Sequence, residues 1–130
     1  MKQLDKIFLV ETLRKYFSEK KDIAMSFLYG SYARGKPNKD SDVDVAIVLL
    51  TEGADEEMFK KATDISYELS NILGKETNVL VIQRDFKKPM LYYNAIILGL
   101  PVFVRNKAEY ASLVVSAIYQ MEDFCEFGRK

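Results

Sequence analysis

The stretch GSYARGKPNKDSDVDVAIV, residues 30–48, carries a Gly-Ser pair, a turn-rich loop, and then two aspartates alternating with valines. Before it, the apolar and aromatic run Ile23 to Tyr29 ends at Gly30 and reads as a strand with a tight exit. Gly35, Pro37, Asn38 and Asp40 make the loop, and Val43, Val45, Ile47 and Val48 define a second strand. A hairpin-like pair is the simplest reading. Side chains two apart in a strand share a face, so Asp42 and Asp44 point one way while Val43 and Val45 enter the core.

Taken alone, two aspartates after a turn read as solvated, and Asp42 as a turn residue that caps local N–H groups. Beside Gly30-Ser31 and between two strands they read differently. Like charges side by side repel unless a cation sits between them, and hard oxygen ligands near phosphate favour Mg²⁺. Gly30 removes a side chain where a triphosphate approaches the backbone, and Ser31 offers a hydroxyl and an amide N–H to phosphate oxygens. Anion cradle and cation site are the two halves of metal-assisted phosphoryl or nucleotidyl transfer.

Further out, residues 4–18 read as an amphipathic helix packed on a sheet, with Leu4, Ile7, Phe8, Leu13 and Phe17 as its apolar side. Asp55 to Leu73 repeats Met58, Phe59, Ala62, Ile65, Leu69 and Ile72 at helical spacing, with Gly74 as C-cap. Asn78 to Ile82 is a short run suited to a buried third strand, and Pro89 to Leu98 a helix closed by Gly99. Pro101 to Val104 suits an edge strand, where proline is tolerated. Glu109 to Phe127 carries Tyr110, Leu113, Val114, Ala117, Ile118, Met121 and Phe124 or Cys125 on one stripe of a long terminal helix. Tyr92 and Tyr93 read as packing residues, and Cys125 as a small buried hydrophobe. Tyr110, Tyr119 and Phe124 are candidates for a partner-binding ridge.

Composition narrows the field. The 130 residues predict one domain, 1–130, of the α/β (α+β) class, with a small mixed sheet flanked by helices. Lys plus Arg and Asp plus Glu both number 19, so no charge imbalance argues for direct nucleic-acid binding. The absence of histidine removes His-based general bases, Ser/His triads and most zinc sites, leaving carboxylates and oxygen-seeking metals. A lone cysteine, no long apolar span and no signal-type start make the cytoplasm the expected compartment and a membrane unexpected.

Gly30-Ser31, ten intervening residues, then Asp42-Val43-Asp44 resembles the polymerase-beta-type nucleotidyltransferase signature. Within that superfamily the chain looks most like the minimal nucleotidyltransferases (MNT), which are encoded beside HEPN-domain partners as toxin–antitoxin pairs. The likeness extends to the element ILGLPVFVRN, residues 97–106, and the tyrosine-containing last helix. It implies the polymerase-beta-type fold with a long C-terminal helix, and ATP as co-substrate. Mg²⁺ would sit at Asp42 and Asp44, and the triphosphate at Gly30, Ser31 and Arg34. Asp42, Asp44 and Arg34 would be the catalytic residues.

The implied reaction moves AMP from ATP to a tyrosine hydroxyl of the HEPN toxin, silencing it as the antitoxin of a type VII-like module. Homo- or hetero-oligomers are compatible with that role. Asn78 stands where the superfamily usually supplies a third carboxylate, and asparagine is no general base. Glu76 and Asp85 are the candidates to replace it. Two other readings remain: a catalytically degenerate antitoxin that acts by binding, and a small-molecule, antibiotic-modifying nucleotidyltransferase.

Overall fold

The computed structural model of the chain describes residues 4–128. Four helices and four strands alternate as α1 (Lys6–Ser18), β1 (Ile23–Tyr29), β2 (Val43–Leu49), α2 (Asp55–Leu73), β3 (Thr77–Val81), α3 (Pro89–Ile96), β4 (Leu100–Val104) and α4 (Lys107–Gly128). The strands form one mixed sheet in the order β3-β2-β1-β4. The β1–β2 pair is the antiparallel hairpin that its alternation predicts, and β4 pairs antiparallel on the other side of β1. The strand β3 runs parallel to β2, which requires a crossover, and α2 supplies it.

Two apolar layers sandwich the sheet. On one face Leu9, Leu13 and Phe17 of α1 and Ile65 and Leu69 of α2 meet Ile23, Leu28, Val43, Val45 and Ile47. On the other, Tyr92, Ala95 and Ile96 of α3 and Leu113 and Ala117 of α4 meet Ala24, Phe27, Ala46 and Val48. None of the helices is long and apolar enough to cross a membrane among the described residues.

The helices form where periodicity places them, yet they turn different faces inward. In α1 the buried line is Leu9, Leu13, Phe17, while Ile7 and Phe8 are 70% and 52% exposed. Those two precede Leu9 by two and one positions, which turns them away by roughly 200° and 100°. In α2, Phe59 and Ile72 are exposed because each lies one position off the buried line Met58, Ile65, Leu69, Leu73.

The strand β3 is an edge, not a buried strand, and Asn78 on it is exposed. Cys125 is exposed as well, contrary to its reading as a buried hydrophobe. The 22 residues of α4 span about 33 Å, longer than a five-residue strand, and among its described side chains only Leu113 and Ala117 are buried while Phe124 and Cys125 are exposed.

Gly74 caps α2 as expected, with φ 67° and its N–H on the Ser70 carbonyl. Gly99 does something else. The helix α3 has already ended at Ile96, and Gly99 lets the chain pass close to its end, since a Cβ there would run into the Ala95 carbonyl oxygen and come within 2.8 Å of that of Leu28. Both obstacles are backbone atoms. Gly99→Ala should therefore cost about 1–3 kcal/mol of stability, seen as a lowered melting temperature with the fold retained.

Candidate active site

The site grows from the end of β1. Gly30 has φ 76°, a left-handed conformation that turns the chain sharply out of the strand. A short helical turn follows, closed by bonds from the N–H groups of Arg34 to Gly30 O, Gly35 to Tyr32 O and Lys36 to Ser31 O. The amides of Ser31 to Ala33 stand at the start of that turn, where its geometry gives them no carbonyl partner within it. Tyr32 is buried, and its hydroxyl accepts the Leu4 N–H at 3.3 Å. Lys6 Nζ donates to the Ala33 carbonyl at 2.9 Å, so the start of α1 pins the turn from outside.

The chain returns through a second fastened turn. Asn38 Oδ1 accepts the Asp40 N–H, Ser41 Oγ accepts the Asn38 N–H, and buried Lys75 donates through Nζ to the Lys39 carbonyl at 2.7 Å. The Val43 N–H then bonds to the Glu76 carbonyl, which starts β2 beside β3. Asp42 stands just before the strand and Asp44 within it. Across the sheet Asp44 pairs with Tyr29 on one side and with Asn78 on the other, giving a row Asn78–Asp44–Tyr29 on the face that α3 and α4 cover.

The polar contacts converge there. Asn78 Nδ2 donates to Asp44 Oδ1 at 3.2 Å and to Asp42 Oδ2 at 3.5 Å. A Cβ on Gly30 would collide with Asp44 Oδ2 and come within 3.3 Å of its Cγ, so only glycine leaves that carboxylate in place. Burial raises the Asp44 carboxyl above its ordinary value; the Asn78 hydrogen bond opposes this, the Asp42 charge adds to it, and the Arg34 charge opposes it. The neighbouring Tyr29 phenol is pushed up to about 12, by burial first and by the Asp44 charge second.

The structure brings Gly30, Asp42 and Asp44 into contact or near contact, with Ser31 half-buried at the turn. Arg34 is exposed, but close enough for its charge to act on Asp44. Glu76 and Asp85 do not join them. Glu76 lies before the first residue of β3 and is exposed, and Asp85 lies past its far end, accepting the Lys87 N–H. Among the described residues, no three His, Cys, Asp or Glu side chains gather into a metal-holding group. Two carboxylates sharing one face fit a single Mg²⁺, an ion held through one or two carboxylates and completed by substrate phosphates and water.

Tyr29 and Lys75 also belong to the site, though their neighbours in the sequence do not mark them. Tyr29 becomes visible only through the hairpin register, which sets it opposite Asp44. Nothing beside Lys75 in the sequence signals that its ammonium is buried against a loop carbonyl.

A mixed four-stranded sheet that sets paired aspartates beside a Gly-Ser turn defines a nucleotidyltransferase-type domain. Residues 11–108 match the family described as "Polymerase beta, Nucleotidyltransferase", and the chain belongs to that family. Its fold is shared with several solved toxin–antitoxin proteins. A toxin–antitoxin structure with AMP-PNP superposes with a TM-score of 0.71 at 15% identity, covering 93% of this chain and 90% of that one. A tri-AMPylated Shewanella oneidensis HEPN toxin in complex with its MNT antitoxin gives 0.69 at 12% identity, covering 92% and 89%. An MntA–HepT complex gives 0.63 at 13% identity, covering 95% and 89%. Identities this low speak for the fold alone. No curated protein is similar enough in sequence to count as a relative.

Proposed function

We propose that this chain is an ATP- and Mg²⁺-dependent nucleotidyltransferase that moves AMP onto a tyrosine hydroxyl of a HEPN-domain toxin, acting in the cytoplasm as its antitoxin. The observation that carries this reading is the pair Asp42 and Asp44 on one face, with Gly30 leaving room at Asp44. The resemblance to MNT antitoxins, whose fold this chain shares, supports the choice of partner.

Asp42 and Asp44 would hold Mg²⁺, which neutralises charge on the triphosphate in the transition state. The turn at Gly30-Ser31 receives phosphate oxygens through backbone N–H groups and the Ser31 hydroxyl, and Arg34 adds a positive charge at the rim. The acceptor oxygen bonds to the α-phosphorus, the bond from that phosphorus to the bridging oxygen of the β-phosphate breaks, and pyrophosphate leaves. The acceptor's proton goes to water, since the Asn78 amide is not a base.

Incubation with ATP, Mg²⁺ and a co-expressed HEPN partner, followed by intact mass, tests the reading. Added adenylyl groups on the partner, absent with the Asp42→Ala, Asp44→Ala double variant, are the expected result. An unmodified partner in a stable complex would favour instead an antitoxin that acts by contact, a reading that Asn78 in place of a carboxylate supports. Transfer of AMP to an aminoglycoside but not to protein would favour the small-molecule enzyme.

A further inference from the structure

We infer that Asn78 makes this a one-cation centre of modest affinity, by standing as a neutral third group over Asp42 and Asp44 and holding both carboxylates together when no ion is bound. This rests on the reading of the two aspartates as a cation site. Three observations carry it.

Parallel pairing of β2 with β3 sets Asn78 directly beside Asp44, on an edge strand from which its side chain reaches both carboxylates. One amide nitrogen, which carries two protons, lies 3.2 Å from Asp44 Oδ1 and 3.5 Å from Asp42 Oδ2, the shorter contact being the stronger. And no third acidic or histidine side chain joins the group among the described residues.

Charge decides what this set can hold. Two carboxylates balance one divalent cation; a second would lie in a half-buried site with no protein charge to offset it. The amide does for the ion-free protein part of what a cation does for the loaded one, offering positive hydrogens to two oxygens that repel each other. With a cation held by Asp42 and Asp44, the Asn78 amide would give up both hydrogen bonds, and its Oδ1 would be the neutral oxygen available there as a weak ligand. Losing those bonds opposes binding, so the wild-type site is weaker than one with a third carboxylate.

Mn²⁺ titrated into the full chain without nucleotide or partner, with free ion read by electron paramagnetic resonance, tests this independently of transfer. Wild type should take one ion per chain. Asn78→Asp should bind it at least about tenfold more tightly. The ion-free Asn78→Asp chain, with three adjacent carboxylates, should melt below wild type and gain more from Mn²⁺. Asn78→Ala lacks the amide without adding charge. It should stay at one ion and, lacking a third carboxylate, respond to Mn²⁺ far less strongly than Asn78→Asp.

Two ions in the wild-type chain, or an Asn78→Asp chain that binds no more tightly, overturns the inference. So does binding that survives Asp42→Ala and Asp44→Ala. An unmodified HEPN partner beside normal one-ion binding would count against the proposed transfer and leave this inference standing.

Discussion

Replacing Asp44 by asparagine should leave a folded chain that melts higher than wild type in the absence of divalent ions, yet transfers nucleotide at least about a hundredfold more slowly. Both halves come from one cause. Burial is the largest influence on the Asp44 carboxyl and raises it, outweighing the Asn78 hydrogen bond and the Arg34 charge, with Asp42 adding its repulsion. A carboxyl raised in the fold favours the protonated form there. The stability it contributes is full below the unfolded value and is lost as pH rises through the folded value.

At neutral pH the ionised Asp44 therefore weighs against the fold, and its neutral isostere removes that weight while keeping an oxygen for the Asn78 amide. The same substitution takes away half the charge available to a cation. Melting curves from acid to neutral pH, with and without Mg²⁺, should show wild type and Asp44→Asn converging in acid and separating as pH rises. Mg²⁺ should raise the wild-type curve more than the variant's. A variant that melts below wild type throughout would refute the electrostatic account, and retained transfer would remove Asp44 from the chemistry.

Gly30→Ala should damage transfer far more than it damages the fold. The backbone at φ 76° costs an L-residue about 1–2 kcal/mol, a few degrees of melting temperature for a domain of this size. The added Cβ collides with Asp44 Oδ2, the far end of a side chain, so relief comes by moving the carboxylate rather than by breaking the sheet. A carboxylate displaced by about 1 Å from a cation and its triphosphate costs on the order of a hundredfold in rate.

Gly35→Ala is the matched control. Gly35 also has positive φ, at 70°, but among the described residues nothing lies within 4 Å of a Cβ there. It should lose a similar amount of stability and keep its Mn²⁺ affinity, while Gly30→Ala loses both. Equal effects of the two substitutions on ion binding would mean that the Gly30–Asp44 approach is not what shapes the site.

Local residue pattern carries the order of helices and strands, the bounds of β1 and α2, and the segment holding the two aspartates. Those features are local. A strand's alternation, a helix's period and a glycine after its last turn act over a few residues, so they are legible without knowing what lies across the core.

The tertiary structure alone decided which faces those elements present. Ile7, Phe8, Phe59 and Ile72 share the spacing of core residues and are exposed, because helix rotation follows from what the sheet offers, not from the helix's own pattern. The edge position of β3 likewise depends on a parallel pairing across the α2 crossover. That pairing, distant in sequence, sets the Asn78 amide on both aspartates, and the hairpin register sets Tyr29 beside Asp44. Composition and motif name the atoms of the site; only long-range strand register, which no local period encodes, brings them within hydrogen-bonding distance.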